Sequence, residues 1–341
     1  MRRWPGFDNA PRTNANGVPP LPLIVPFVDH RYGRAAILDE PVVALSLYEL
    51  VNMATGKVHV ASRAELAARF LIAEGAQVVV SGVDKDGPVE RWWELKDRRS
   101  ILTALKELGS ILVTTPNYSV LTDVPRTDNL HAMKRILLAW TEMAAAGLAA
   151  ALHVNGRTEH DYSRWGHLIT ERPEIEILAF EFATGCGRGE RIDWHVAQLC
   201  ALADRVGRPL AIVVRGGGRK LDALRQHFAQ VSLVETEAFA RTIRRRRAYI
   251  TEAGRLKWAK FTTPIGAPID DLFAHNVRSV RASYEAHHAA IVSRSATRRL
   301  HRAAHGNGEP AEPGLLRELD LTGQARGVAP KSQRVVATAK S

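Results

Sequence analysis

Eight short apolar segments recur along the chain, and they constrain its fold more than any other feature. Each is rich in Val, Ile, Leu and Ala, and helix-period stretches separate most of them. Short and nearly continuous apolar runs are typical of strands that are buried on both faces of a parallel sheet. The predicted strands are Leu23–Val28, Val42–Tyr48, Gln77–Val83, Ser110–Thr115, Ala149–Val154, Glu176–Ala183, Pro209–Arg215 and Gln230–Glu235.

Helix start and stop signals fall between these strands. Ser62 and Thr158 are predicted N-caps, and Asp128 is predicted to cap a helix that ends before Gly147. Further helices are predicted over Asp193–Val206, Arg219–Phe228 and Glu237–Lys260. Strands that alternate with helices at this spacing indicate βα units and a parallel sheet.

The pattern predicts an α/β fold of the (β/α)8 TIM-barrel type. The 341 residues suffice for one barrel, which takes about 250 residues, and a tail. Only residues 29–41 separate the first two strands, which is too short for a helical crossover. The first strand therefore also fits a rim hairpin or an added edge, in an open or seven-stranded sheet. We expect a flexible arm over 1–20, the barrel over 21–285, and a basic, largely disordered tail over 286–341.

The net charge of +11 is concentrated near the C-terminal end of the sequence. Residues 240–260 hold eight Lys and Arg against one acidic residue, and residues 290–341 hold nine against four. Such asymmetry indicates a polyanionic partner, of which DNA or RNA is the commonest. The alternative is that these charges only keep a disordered tail in solution.

Composition excludes several other classes of protein. No apolar run approaches the roughly 18 residues of a membrane span, and the first residues lack the apolar region of a secretory signal. The two cysteines, Cys186 and Cys200, cannot build a disulfide framework. We therefore expect a cytoplasmic protein with no membrane partner. The sequence leaves the cofactor and the oligomeric state open. No close-spaced ligand motif indicates a metal.

The fifth predicted strand ends in the sharpest group of candidate site residues. His153, Asn155 and Arg157 alternate with smaller residues, so they project to one side of the strand. In TIM barrels the chemistry lies at the carboxyl ends of the strands. A base, an amide and a guanidinium would then converge at the barrel mouth. The alternative is a hydrogen-bonded histidine that supports its loop.

Two carboxylates end later strands. Glu181 stands between Phe180 and Phe182, where burial would suit it to general acid catalysis. The alternative is a structural ion pair with Arg157 or Arg215. Glu235 ends the last strand and is a candidate nucleophile or base. Two carboxylates that face each other across a site are typical of glycosyl transfer.

Further polar residues follow the other strands. Ser81, Asp84, Asn117 and Tyr118 are candidates for substrate binding. A glycine-rich loop between two arginines, which fits a phosphate group or else a tight turn, is formed by Arg215, Gly216, Gly217, Gly218 and Arg219.

The predicted helix after the last strand is strongly basic. Its cations either form a solvated outer ring or contact the phosphate backbone of a nucleic acid. Binding of a nucleic acid in this way would depend steeply on salt. The candidate nucleic-acid-binding residues are Arg241, Arg244, Arg245, Arg246, Arg247, Lys257 and Lys260.

Several motifs between Ser110 and Ala248 resemble the barrel of the tRNA-guanine transglycosylase superfamily, including its DNA-modifying branch. They are Val154-Asn155-Gly156, Asp161-Tyr162-Ser163-Arg164-Trp165, the turn 215–219, and Val234-Glu235-Thr236-Glu237-Ala238-Phe239. The resemblance implies a catalytic carboxylate at the end of the last strand. The superfamily has aspartate where this chain has Glu235, and the cysteine-rich zinc site of the tRNA enzymes is missing. Two further segments, Pro116–Ser119 and Asp128–Arg135, resemble an uncharacterised family of bacterial plasmid and phage proteins.

These observations favour an enzyme that acts on a nucleobase or nucleoside in nucleic acid, by glycosyl transfer or N-glycosidic cleavage. Two alternatives remain open. One is a non-catalytic nucleic-acid-binding protein of plasmid or phage maintenance, which depends on the basic segments. The other is a small-molecule phosphoester enzyme, which depends on the glycine-rich loop.

Overall fold

The computed structural model of the protein describes residues 6–187 and 189–305. Its strands are β1 (Ile24–Pro26), β2 (Val42–Ser46), β3 (Val51–Asn52), β4 (Lys57–Val58), β5 (Gln77–Ser81), β6 (Ser110–Thr114), β7 (Ala150–His153), β8 (Ile177–Glu181), β9 (Ala211–Arg215), β10 (Gln230–Glu235), β11 (Arg246–Ile250) and β12 (Leu256–Lys260). Its helices are α1 (Leu47–Leu50), α2 (Arg63–Phe70), α3 (Asp86–Glu94), α4 (Arg98–Glu107), α5 (Arg126–Ala145), α6 (Glu159–Glu171), α7 (Arg191–Val206), α8 (Leu221–Leu224), α9 (Glu237–Ile243) and α10 (Asp270–His305).

Eight parallel strands form one sheet in the order β1-β10-β9-β8-β7-β6-β5-β2. The two end strands meet through a parallel bridge between Phe27 and Ala44, and the N–H of Val28 donates to the Ala44 carbonyl at 2.9 Å. The sheet therefore closes into a (β/α)8 barrel, as predicted. The rim hairpin, the added edge and the open or seven-stranded sheet are wrong, because β1 pairs in parallel with β10 and closes onto β2.

Alternate residues of the strands fill the barrel, because successive side chains of a strand point to opposite faces. The intervening residues pack against the helices in a larger core. The small apolar side chains of the interior belong to Val25, Val42, Ala44, Val79, Leu112, Ala151, Ile177, Ala179, Ala211, Val213 and Val234. The inward-facing residues that follow these interior side chains line the barrel mouth. The mouth is the end of the barrel where the strands finish.

The connection between β1 and β2 contains no helix, and the first part of α10 is tied to it instead. The side chain of Arg34 is fully buried, and its Nε lies 3.4 Å from Oδ1 of Asp270. Asp270 also accepts from the N–H of Ala35 at 2.7 Å. Farther along α10, Arg281 forms a bidentate pair with the buried Glu40.

Two of the three predicted helix caps are confirmed. Ser62 accepts a hydrogen bond from the N–H of Glu65, and Thr158 forms a reciprocal capping box with Asp161. The prediction for Asp128 is wrong, because α5 begins at Arg126 and Asp128 lies within its first turn.

Two predicted helices are much shorter in the structure. The helix predicted over Arg219–Phe228 is limited to α8, which follows a 3-10 turn. The helix predicted over Glu237–Lys260 ends at Ile243, and the antiparallel hairpin of β11 and β12 follows it. Contacts distant in sequence fix that hairpin, since Ala248 donates its N–H to the buried Asn276 of α10 at 2.8 Å.

The N-terminal segment also differs from the prediction. Residues 6–20 are anchored rather than loose, since Asn16 donates to the carbonyls of Ala144 and Leu148 at 2.8 Å. Helix α10 includes the first part of the predicted tail, as far as His305, and the rest of that tail lies outside the described residues. The chain divides into two compact units, 1–292 and 293–341. Within the described part, no helix combines the length and apolarity that crossing a membrane requires.

We expect Thr158→Ala to destabilise the protein by about 1 kcal/mol, because it removes the oxygen that caps α6. Urea unfolding measures this change. The matched control is Thr170→Ala in the same helix, since the Thr170 hydroxyl bonds only the carbonyl of Gly166 and the residue is exposed. Equal free energies of unfolding for the two variants would contradict the prediction.

Candidate active site

Three long polar side chains enter the barrel mouth from adjacent strands. His153, Glu181 and Arg215 end β7, β8 and β9, and each lies two residues beyond a residue of the barrel interior. His153 is 1% exposed and Glu181 is 5% exposed. The hydroxyl side chains at the equivalent positions of β2, β5 and β6 are Ser46, Ser81 and Thr114, all buried.

Glu181 has one satisfied and one unsatisfied carboxylate oxygen. Oε2 accepts a hydrogen bond from the Thr184 hydroxyl at 2.6 Å. Oε1 is buried and has no hydrogen-bond partner among the described residues. A buried polar atom without a partner costs about 1–3 kcal/mol, so such an atom points to a ligand or to water. The predicted alternative, a structural pair with Arg157 or Arg215, is wrong in this respect, since neither guanidinium bonds the carboxylate within the described part.

Arg215 is held next to Glu181 by other contacts. Its Nη1 donates to the carbonyl of Val83 at 2.8 Å, and its guanidinium lies 5.2 Å from the ring centroid of Phe27. Burial lowers the pKa of Arg215, and the carboxylates of Glu181 and Asp84 oppose that shift. The side chain is therefore a partly buried cation beside the unsatisfied carboxylate.

His153 is neutral and fixed in one orientation. Burial lowers its pKa to about 4, and the nearby Arg215 cation acts in the same direction. Its Nδ1 lies 2.7 Å from the carbonyl oxygen of Thr115, which can only accept, so Nδ1 carries the proton. Nε2 is then an acceptor, and it has no hydrogen-bond partner in the part of the chain that the structure describes.

A pocket of about 60 Å³ opens above Glu181, between the loops that follow β6, β7 and β8. Asn155 and Arg157 line it, as does Asn117, so three predicted substrate-binding residues meet a predicted catalytic carboxylate. His153 is not part of this lining, although all three residues of the strand-five group were predicted to share one side. The pocket is large enough for a few water molecules or a small polar group.

The two amides of the pocket form a complementary pair. Nδ2 of Asn155 donates to Oδ1 of Asn117 and, at 2.8 Å, to the carbonyl of Tyr118. Both amide protons of Asn155 are thus used, which fixes its orientation. The free groups, Oδ1 of Asn155 and Nδ2 of Asn117, have no partners among the described residues. They offer an acceptor and a donor to the pocket.

Arg157 crosses to the loop after β8. Its Nη1 lies 2.6 Å from Sγ of Cys186, and its main-chain N–H donates to Asp161 at 2.9 Å. Cys186 and Thr184 both line the pocket, and the sequence did not predict either of them as a site residue. In the sequence, this loop is marked only by its glycines. Glycines do not indicate where the neighbouring side chains lie.

The remaining predicted substrate-binding residues lie outside this pocket. Ser81 is buried and Asp84 is exposed, where its side chain accepts from the N–H of Lys85 at 2.7 Å. Tyr118 contributes only its carbonyl oxygen to the amide pair. Its ring is buried beneath the guanidinium of Arg135, which lies 4.2 Å from the ring centroid.

Glu235 does not face Glu181 across the mouth, as the sequence predicted. Val234 belongs to the barrel interior, so Glu235 points outward toward the helices. Its Oε1 accepts from the N–H of Glu237 at 2.5 Å, and both oxygens accept from Ala238. The carboxylate therefore caps α9. Burial raises the pKa of Glu235 to about 7, although these amide bonds oppose the shift.

Packing accounts for the glycine-rich loop after β9. Gly216 and Gly217 have φ of 77° and 70°, a region that favours glycine. A Cβ on Gly216 would lie 2.7 Å from the N of Ala183, and one on Gly218 would collide with the Tyr284 hydroxyl. The tight turn that was the alternative to a phosphate site explains Gly216 and Gly217, and the contact with Tyr284 explains Gly218. Arg219 is exposed beside this turn.

The predicted nucleic-acid-binding cations lie on α9, the turn after it and the hairpin, rather than on one helix. Arg241 pairs with Glu237 at 2.8 Å, and Arg245 turns toward the carbonyl of Ala267. Exposed positions are held by Arg244, Arg246, Arg247, Lys257 and Lys260.

One acidic cluster at the strand ends resembles a metal site. Ligand atoms of Asp29, His30 and Glu49 lie within 4.8 Å of one another. Arg31, however, donates to Asp29 at 2.7 Å and to Glu49 at 2.9 Å, so one guanidinium already pairs with both carboxylates. The cluster fits an ion-pair network that fixes the loop after β1.

Comparisons with known proteins add no function to this geometry. No protein-family model matches the sequence, and no curated protein matches it. A crystal structure of a "putative lyase/mutase" from Burkholderia cenocepacia J2315 aligns with TM-score 0.34 and 16% identity, over 70% of this chain and 84% of that one. A likeness of that size carries no argument about activity. The barrel assignment depends on the strand pairing described above.

The raised pKa of Glu235 predicts a pH-dependent stability. The carboxyl group titrates near 4.5 when it is unfolded and near 7 when it is folded, so the folded protein binds more protons in that window. The stability should therefore fall as the pH rises through the window. We expect the free energy of unfolding, relative to Glu235→Gln, to drop by on the order of 3 kcal/mol from about pH 4 to about pH 8.

Chemical denaturation across this pH range measures that difference. The matched control is Glu107→Gln, which removes an exposed carboxylate at the end of α4. A flat difference for Glu235→Gln would contradict the assignment.

Proposed function

We propose that this protein is an enzyme that transfers protons at the barrel mouth, on a base or nucleoside unit of a nucleic acid. The observation that carries the proposal is the unsatisfied Oε1 of Glu181. A buried carboxylate in the lining of a pocket, beside a partly buried guanidinium and a pair of open amide groups, suits general acid–base chemistry. The sequence-based choice of Glu181 as a catalytic residue is kept, whereas Glu235 is not part of the proposed machinery.

The amide pair supports a nucleobase as the group that is bound, with only one edge of the base in the pocket, because the pocket is too small for a whole base. Nucleobases present adjacent donors and acceptors at their edges, and asparagine is one of the side chains that match them. Asn117 contributes the donor and Asn155 the acceptor, and both lie on the pocket that Glu181 closes. Arg157 is the cation nearest this edge, and it would contact a carbonyl or phosphate oxygen.

N-glycosidic cleavage is the reaction that we assign to this arrangement. In this step Glu181 takes a proton from the attacking water, whose oxygen bonds the sugar carbon. The carbon–nitrogen bond breaks with its electron pair on the base nitrogen, and the departing base takes the proton from Glu181, which restores the carboxylate. This step needs only one carboxylate at the mouth. It does not need two facing carboxylates, an arrangement that the outward orientation of Glu235 does not support. It keeps the class of reaction that the resemblance to the transglycosylase superfamily implies, but it departs from the catalytic carboxylate that the resemblance implies at the end of the last strand.

The test uses the purified full-length chain with single-stranded DNA, duplex DNA and tRNA. Chromatography and mass spectrometry detect the released or exchanged base. We expect Glu181→Gln to lower the rate by about 100-fold or more, since general acid–base groups contribute on the order of 10²–10⁴. Glu107→Gln is the matched control and should retain the wild-type rate.

Three outcomes would overturn the proposal. The first is full activity in Glu181→Gln. The second is loss of activity in Glu235→Gln alone, which would restore the end of the last strand as the catalytic position. The third is the absence of base release from all three substrates.

A second candidate function is non-catalytic binding of nucleic acid, as in plasmid or phage maintenance. The exposed cations of the β11–β12 hairpin favour it, because binding would need no chemistry at the mouth. In that case Glu181→Gln and Asn155→Ala would behave as the wild type in every assay of function, and only changes in the basic segments would have an effect.

A further inference from the structure

The hairpin of β11 and β12 has an inner and an outer face. Ala248 is buried and pairs with Trp258, and its main-chain N–H is bonded to Asn276 of α10. Side chains alternate along each strand, so the neighbouring positions turn away from this contact. Arg247, Tyr249 and Lys257 occupy those positions, and all three are exposed. We call these three residues the hairpin outer face.

Cations on and beside the outer face lack counter-charges. Within the described residues, no carboxylate lies within ion-pair distance of Arg244, Arg246, Arg247, Arg255, Lys257 or Lys260. By contrast, Arg241 on the preceding helix is paired with Glu237. The segment 240–260 contains a single acidic residue, Glu252. A concentrated and unneutralised charge of this kind attracts a polyanion.

An exposed aromatic ring lies between the two cations of the outer face. Tyr249 pairs with Lys257 across the hairpin and is 49% exposed, in spite of its large apolar ring. Arg247 lies two residues before it, and its guanidinium is 5.3 Å from the ring centroid of Phe261. Phe261 follows β12 on the side of Arg247 away from Tyr249, so this contact fixes the guanidinium at one end of the outer face, two residues from the open ring. An open ring flanked by cations is the arrangement on which unpaired bases stack while the cations contact phosphates.

We propose that the hairpin outer face binds single-stranded nucleic acid, with Tyr249 stacking on a base and Arg247 and Lys257 contacting the flanking phosphates. The inference deepens the proposed function. It rests on that proposal for one point, which is that the bound polyanion is the substrate. A two-stranded ribbon also fits the major groove of a duplex. The exposed ring favours the single strand, because paired bases do not offer it their faces.

The experiment measures the affinity of the full-length chain for one labelled mixed-sequence oligonucleotide, as a single strand and as a duplex, over a series of salt concentrations. The variants are Arg247→Ala/Lys257→Ala and Tyr249→Ala. The matched control is Lys96→Ala/Arg99→Ala, which removes the same charge from an exposed surface elsewhere in the first unit. Residues 290–341 remain in every protein, so their contribution is constant. Circular dichroism and thermal unfolding verify that each variant is folded.

We expect the double hairpin variant to lower the single-strand affinity about 20-fold at 0.1 M salt, and to reduce the salt slope by about 1.4, as for two lost phosphate contacts. Tyr249→Ala should lower the single-strand affinity about tenfold and leave the duplex affinity within about twofold. The control variant should stay within about twofold of the wild type.

Three results would overturn the inference. Hairpin variants that bind like the control would show that the outer face makes no contact. Duplex binding that is tighter than single-strand binding, or equally sensitive to Tyr249→Ala, would show that the ring does not stack. A third result would identify a membrane as the partner. In it, the wild type binds phosphatidylserine vesicles but no oligonucleotide, and the hairpin variants lose the binding to the vesicles.

The same proteins separate this inference from the proposed function. Glu181→Gln should bind the oligonucleotide as the wild type does. Base release that depends on Glu181 but not on the hairpin would sink the inference alone. Binding that depends on the hairpin, without any effect of Glu181 on base release, would sink the proposed function alone.

Discussion

The two-residue alternation of the eight barrel strands is the constraint on which the rest of the structure depends. One set of side chains must fit inside the barrel, and it includes small apolar residues such as Ala44, Ala151 and Ala179. The next inward positions lie at the mouth, where they are occupied by the polar side chains of His153, Glu181 and Arg215. The same alternation turns Glu235 outward, so one geometric rule both assembles the site and removes a candidate from it.

The sequence predicted the strands well because each of them is a local apolar run. It predicted Asn155, Arg157 and Glu181 as neighbours because adjacent parallel strands end at one edge. Glu235 was misplaced because the position of a residue at the end of a strand does not reveal which face it occupies. That choice depends on the register of Val234 against β9, which is a tertiary property. Thr184 and Cys186 lie on a loop, where no periodicity indicates the direction of a side chain.

The basic segment shows a different limit. The residues from Arg241 to Lys260 fit a charged helix as well as they fit a hairpin by local pattern. The choice is made by Asn276, whose amide bonds Ala248 and the carbonyl of Arg246 at 2.8 Å from a distant helix. The outcome matters for function, because a helix would distribute the arginines around its axis. A hairpin instead collects cations and an aromatic ring on one side.

The ion pairs between α10 and the first barrel connection also set the order in which the chain can complete its fold. Glu40 and Arg281 are 241 residues apart, and Arg34 and Asp270 are 236 apart. Strand β1 likewise has no strand to pair with over its full length until β10 has been synthesised. During synthesis on the ribosome, the first strand is made early and has no ladder to join until most of the chain has emerged. Such distant pairings are slow to form, so the seam between β1 and β10 is the last part of the barrel to be sealed.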